Sequence, residues 1–441
     1  MFSRHRRLVK LATLTTFLLS SYAYASGMQL DTSYSSAGYA WAGRAALYDD
    51  ASTGYYNPAL YSAFRRPQVG ISGLAADVNI DVKMLESSID ATAIGAGIIP
   101  TVGNDRASVA GWNTLAGLHA VLPLPYRFSA GLNVALPWGL TTNYPRSSKS
   151  RYFAQLASLK VVDIDPGISY ELFDCFSVGV ALDAIYSHFS SKVALPTFIP
   201  GAPFTPGPAD TYVTNEGGDK WSFGWNAGIL YRAPTHTQIG LGYHSKVSTT
   251  TSGSSEAISG ITGAEFDGDV HSSFVYPAFF NVSIVQDLNP CWAILADVRY
   301  TNWSKFDKAT LAFSGYDPNL VPGTITIPLD WRDTLNYAIG VSFKPTEDLK
   351  FKAGFGYDET PVRNEDIRPF AVPDNNRYVI GLGAQYCFNR NFHFDAGYTA
   401  KILDRSEIDG TRVVPPITIT SHAKVDTMIN EFNLSFNWTF T

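Results

Sequence analysis

The stretch EFNLSFNWTF at residues 431–440 alternates without a break. Phe432, Leu434, Phe436, Trp438 and Phe440 take one side; Asn433, Ser435, Asn437 and Thr439 take the other. A strand turns successive side chains to opposite faces, so this segment has one greasy, largely aromatic face and one small polar face. The pattern recurs upstream. Trp221, Phe223, Trp225, Ala227, Ile229 and Tyr231 alternate with Ser222, Gly224, Asn226 and Gly228. Tyr378, Ile380, Leu382, Ala384, Tyr386 and Phe388 alternate with Arg377, Gly381, Gly383 and Gln385.

A soluble sandwich alternates too. Three features point instead to an all-β transmembrane barrel. The segments run well past the ~5–6 residues usual in soluble strands. Aromatics sit near segment ends, where interfacial girdles require them. The second face is rich in Gly, Asn, Asp and Ser, which suits a wet or plugged lumen. In lipid every backbone group must be paired internally, and among β structures only a closed sheet does that.

Tight connections fall at residues 123–126, 173–175, 232–235, 287–290, 344–347 and 389–391. Between them lie Gly-, Pro-, Ser- and Thr-rich stretches, read as long loops, at 197–220, 249–269 and 404–424. Short turns on the periplasmic side and long loops outside are the outer-membrane pattern. Six short turns join twelve strands; one strand precedes them near residues 68–83 and one follows at 424–440. The expectation is a 14-stranded antiparallel barrel over residues 67–441 with both termini periplasmic.

Composition agrees. Of 441 residues, 16% are charged and 14% aromatic, well under the ~25% charge of soluble domains. The net charge is −6, and beyond the first 25 residues 29 cations face 39 carboxylates. That excludes a nucleic-acid binder, which needs a basic face to displace phosphate counterions. Residues 1–25 hold a basic start, a short apolar run and the small-x-small site Ala23-Tyr24-Ala25, the parts of a secretory signal peptide. Residues 26–66 do not alternate, and are read as a plug folded into the lumen, the alternative being a disordered extension. Cys175, Cys291 and Cys387 lie far apart, unlike metal clusters, and each sits beside a short turn on the lumen face; free thiols around the periplasmic rim are expected. No cofactor and no metal site is expected. The histidines form no readable Ser–His–acid set, so an enzyme is not expected either.

Several stretches resemble the FadL/TodX-type outer membrane transport proteins for long-chain fatty acids and other hydrophobic compounds. These are SGMQLDTSYSSAGYAWAGRAALYDDASTGYYNPALYSAF (26–64), GDKWSFGWNAGILYR (218–232), CWAILADVRYTNWSKF (291–306) and FKAGFGYDETPVRNEDIRPFAVPDNNRYVIGLGAQYCFN (351–389). The resemblance covers the mature chain in order. It implies a monomeric barrel among lipopolysaccharide and outer-membrane lipid, an N-terminal hatch carrying the Asn57-Pro58-Ala59 signature, and passive uptake of hydrophobic small molecules. Met28 takes the place of a family phenylalanine in the hatch, with Leu30 beyond it, and would plug the inner pocket as a flexible apolar filler.

The third strand carries Leu136, Pro137, Trp138 and Gly139 in mid-run. Proline cannot donate to a ladder, so it marks a bulge, an early end or an inward kink. The resemblance implies the kink, with a lateral opening towards lipid. It also implies basic side chains in the pocket for a carboxylate. One position corresponds to Val193, beside Lys192, which parity turns outward unless a bulge intervenes; the other falls near the apolar Ile327. Arg332, Arg299 and Arg377 have lumen parity and are the remaining candidates, unless they pair with Asp183, Asp297 or Asp395. Lacking clear anchors, the chain is read as a carrier of fatty acids or, alternatively, of neutral aromatic hydrocarbons. A surface adhesin built on the long loops is the alternative of another class.

Overall fold

The alternation is realised in the computed structural model, which describes residues 27–196, 210–315 and 323–441; the expected signal peptide lies outside them. Fourteen strands form one closed antiparallel sheet. They are β1 (Gln68–Asp90), β2 (Arg106–Pro123), β3 (Phe128–Ala135 and Gly139–Asn143), β4 (Leu156–Phe173), β5 (Phe176–Leu195), β6 (Thr211–Arg232) and β7 (Thr237–His244 and Val247–Ile258). There follow β8 (Glu265–Tyr276 and Phe279–Asp287), β9 (Trp292–Thr301 and Lys308–Ser314), β10 (Thr324–Pro328 and Thr334–Phe343), β11 (Leu349–Asp358), β12 (Arg377–Asn389), β13 (Phe392–Leu403 and Ser406–Val414) and β14 (Ile417–Thr439). β14 returns to β1, from Gln68 opposite Thr439 to Asp90 opposite Thr418, and this pairing removes the sheet's edges.

The barrel is inverted relative to a soluble protein. Phe436 is 44% exposed on the outer face, while its neighbour Asn437 is fully buried. Aromatic pairs such as Trp112–Phe432 and Trp292–Phe343, with ring centres 5.8 and 4.4 Å apart, mark the two ends of the apolar band.

Two stretches read as loops are not loops. Val247–Ile258 pairs residue by residue with Glu265–Tyr276, and Ser406–Val414 pairs with β14. A ladder is made by backbone groups, so Ser, Thr and Gly sustain it above the membrane, where no apolar face is needed. For the same reason β1 and β14 extend beyond residues 83 and 424. Of the stretch 197–220, residues 197–209 lie outside the described residues and the rest belongs to β6.

Residues 27–64 fill the interior with three short 3-10 turns, Tyr34–Tyr39, Ala51–Tyr55 and Pro58–Ala63. Glycines on the wall admit them. A Cβ on Gly228 would fall 1.8 Å from the Asn57 Oδ1, and one on Gly240 1.7 Å from the Ala45 carbonyl oxygen. Asn57 donates to the carbonyls of Ala45 (2.7 Å) and Ile229 (2.9 Å) and accepts from the Ala59 N–H (3.0 Å). Pro58 follows at the first position of its turn, where the missing N–H costs nothing. Ion pairs complete the seat: Asp49 lies 2.8 Å from Lys350 and 3.0 Å from Lys352, and Arg44 lies 3.0 Å from Asp297.

Candidate functional site: a break in the third strand and the aromatic cluster behind it

β3 is interrupted where the sequence places proline. Its first piece pairs with β2 and β4, ending with Val134 opposite Leu118 and Ala135 opposite Asp163. Its second piece resumes with Gly139 opposite Lys160 and pairs with β4 alone. Three residues on β3 thus face two on β4, a bulge centred on Pro137. The second piece leaves β2 behind. The β2–β3 ladder ends at Leu118, while residues 106–117 of β2 keep their ladder to β1. The opening ends above where Asn104 bridges to Ser148 and Lys149 pairs with Asp105 (2.5 Å).

The inner segment docks onto the break. The Leu30 N–H donates to the Pro137 carbonyl (2.8 Å), the Gly139 N–H donates to the Met28 carbonyl (2.9 Å), and Gln29 bridges to Trp138 in antiparallel fashion. Trp138, turned inward and buried, stacks on Tyr276 (5.6 Å, 25°) and meets Trp303 edge-on (5.6 Å, 87°). Trp303 in turn meets Trp331 edge-on at 5.1 Å. Met28 lies in this same apolar cluster, with Phe279, Phe306 and Leu329. Leu30 belongs to a second, smaller cluster with Tyr34, Leu74, Leu115 and Leu136. The loop after β11 covers the top: Tyr144 donates to the Phe370 carbonyl (3.0 Å) and Thr142 to that of Ala371 (2.7 Å).

Charge is concentrated below. Asp31 lies 3.2 Å from Arg44, 3.2 Å from Arg299 and 3.6 Å from Lys401. Burial works against its charge, yet Arg299, Lys401 and Arg44 together hold its carboxyl below the ordinary range. Asp49 is depressed in the same way, burial being outweighed by Lys350 and Lys352.

The sequence-based candidates separate on this frame. Met28, Leu30, Leu136, Pro137, Trp138 and Gly139 come together at the break. Asn57, Pro58 and Ala59 sit elsewhere, against β5 to β7. Arg299 is paired with Asp31, and Arg377 donates to Asp374 and lies 3.7 Å from Asp358. Arg332 does not have the lumen position that parity gave it. Residues 329–333 leave the ladder, Trp331 takes the buried place, and Arg332 is exposed, donating to the Thr360 carbonyl. Lys192 keeps the parity read from the sequence: Ser187, Phe189 and Ser191 stay opposite the inward Val161, Leu159 and Ala157, and Lys192 stands opposite Leu156, its ammonium 5.8 Å from the Tyr212 ring centre. The residues sequence reasoning missed are Asp31, Arg44, Trp303 and Trp331. Trp303 stands in a 3-10 turn and Trp331 in an irregular link, so neither leaves a period-2 signal.

All three cysteines are free. Cys291 is exposed and lines a cavity of about 420 Å³ at the short-turn end, between Tyr48 and Asp49 of the inner segment and the wall residues Trp292 and Lys350.

Residues 16–440 match the family described as outer membrane protein transport protein (OMPP1/FadL/TodX). A long-chain fatty acid transport protein of Escherichia coli O6:H1 is 27% identical over 86% of this chain and 87% of its own length. Outer membrane protein P1 of Haemophilus influenzae is 25% identical over 96% of this chain and 97% of its own. Among solved structures, a Pseudomonas aeruginosa FadL homologue superposes with a TM-score of 0.81 at 21% identity, covering 94% of this chain and all of that one. The Pseudomonas putida toluene transporter TodX gives 0.67 at 19%, again over 94% of this chain and all of its own. Closed barrel and a match running nearly end to end agree: the chain belongs to the OMPP1/FadL/TodX family of outer membrane transport proteins.

Proposed function

We propose that this barrel takes up hydrophobic small molecules passively, long-chain fatty acids foremost, and releases them sideways between β2 and β3. The observation that carries the reading is the end of the β2–β3 ladder at Leu118, opposite Val134, beside the Pro137 break. A sheet in lipid that leaves backbone groups unpaired loses several kcal/mol for each, so the opening is a costly feature with a use. Behind it the cluster around Trp138, Trp303 and Trp331 offers an apolar resting place, worth ~0.8 kcal/mol per buried CH₂ to an acyl chain. Residues 26–66 act as the hatch. Met28 and Leu30 are its leading end, and because they pair with residues 137–139, a ligand that displaces them also frees the break. The barrel works as a monomer set in lipopolysaccharide and outer-membrane lipid.

A second reading, neutral aromatic hydrocarbons, is favoured by one observation. Arg299 and Arg377, the two fully buried cations considered for a carboxylate, already face aspartates. The relatives include both a long-chain fatty acid transport protein and a toluene transporter.

The test is uptake of labelled oleate and labelled toluene by cells expressing the chain. Pro137→Val with Gly139→Val restores a donor and straightens the strand; uptake of the true cargo should drop at least fivefold. Uptake at the wild-type level would remove the lateral route. Deleting the hatch separates a channel from an adhesin: surface binding by an adhesin survives the deletion, whereas controlled uptake does not.

A further inference from the structure

At the lower end of the opening, next to the last β2–β3 rung (Leu118 opposite Val134), lies a void of about 10 Å³, room for one water-sized group. Thr32 and Ser72 line it, 6% and 4% exposed, and neither hydroxyl has a hydrogen-bond partner. Gly117, the residue of β2 just past its last rung to β3, leaves the spot open: a Cβ there would stand 3.2 Å from the Ser72 Oγ. The other polar groups around the void are engaged. His119 Nε2 contacts the Asn437 Oδ1 at 2.6 Å, Ser52 bonds Ser33 at 2.9 Å, and Asn133 donates to the Tyr61 hydroxyl at 2.7 Å. Beside this polar sill stand Leu30, Leu74, Leu115 and Leu136.

Resting on the lateral route proposed above, we infer that the sill is a foothold for the polar head of a single-chain amphiphile, with the tail on the four leucines. A hydroxyl is both donor and acceptor, so Ser72 and Thr32 match a carboxyl or alcohol in either protonation state. A bare hydrocarbon gains nothing from them. A pair of neutral hydroxyls also binds weakly, as a transit point must: favourable enough to enter, not so tight as to trap. Buried polar groups left unmatched are costly, and the passing head relieves that cost. The cargo class selected here is therefore the fatty acid rather than the arene or alkane.

The experiment compares initial uptake of labelled decanoate and labelled decane by the wild type and by the Ser72→Ala, Thr32→Val double variant, which keeps shape and removes both hydroxyls. Heat-modifiable migration confirms that the barrel is folded, and the ratio of the two cargoes cancels differences in expression. A fall in the decanoate-to-decane ratio of about fivefold or more is expected. An unchanged ratio overturns the foothold and leaves the hydroxyls as the seat of a buried water. The Pro137→Val, Gly139→Val variant tells the two levels apart: if it leaves both cargoes at wild-type uptake, the lateral route fails and the inference falls with it.

Discussion

Leu30 of the inner segment gives its backbone N–H to the carbonyl of Pro137, 2.8 Å away, at the one place where the third strand leaves its ladder. Plug and wall are thus joined by a miniature sheet. A Cβ on Gly139 would lie 2.9 Å from the Leu30 Cδ1. Gly139→Ala should therefore push Leu30 off this seat. At about 1 kcal/mol for a net hydrogen bond, amide exchange at Leu30 should quicken roughly fivefold. Hydrogen exchange read by mass spectrometry over residues 27–34 checks it; unchanged protection there means the contact bears no load.

Asn57 makes three hydrogen bonds that nothing else supplies. Asn57→Ala should cost about 3 kcal/mol of docking, at ~1 kcal/mol each. Gly228→Ala should do comparable harm through the clash with the Asn57 Oδ1. Proteolysis of residues 27–64 should accelerate in both variants while the barrel keeps its heat-modifiable migration. Equal loss of barrel and plug would contradict an independent seat.

The plug's carboxylates set its response to acid. Asp31 and Asp49 both lie below the ordinary value. A carboxyl depressed in the folded state contributes stability above its unfolded pKa, near ~3.9, and that stability is lost as pH falls towards the lowered folded value. Docking should be flat across neutral pH and fail only below about pH 4. Lys350→Met with Lys352→Met strips Asp49 of both close partners, and breaking a buried pair costs ~3–5 kcal/mol. Acid-induced exposure of the plug should then begin at higher pH. A protease-sensitivity titration that does not move would refute the pairing.

Cys291 is exposed and lines the periplasmic cavity, whereas Cys175 and Cys387 are half-buried. In isolated outer membranes a maleimide should label Cys291 first, about tenfold ahead of the partly shielded Cys387. Labelling in the opposite order would place the turns differently.

The barrel was legible because every strand residue votes on which face is which. Agreement along whole strands outweighs any local exception, and turn chemistry then counts the strands. Pro137 was legible for a different reason: one residue type cannot do what a ladder asks. What escaped was whatever the backbone does without telling its side chains. The ladder continues through the Ser- and Thr-rich stretch 247–276, because hydrogen bonding there is blind to residue type. Arg332 lost its inward place to Trp331 one residue earlier, where the strand lapses into an irregular link. The aromatic cluster and the Asp31 ion pairs join segments far apart in the chain, and no local pattern announces a meeting of that kind.

A hoop fastened all the way round shares strain evenly; one whose β2–β3 ladder stops at Leu118 yields there first. Compression or thinning of the surrounding bilayer should therefore be felt at that seam before anywhere else on the cylinder. The mechanical state of the membrane would then set how wide the doorway stands, even with no solute aboard.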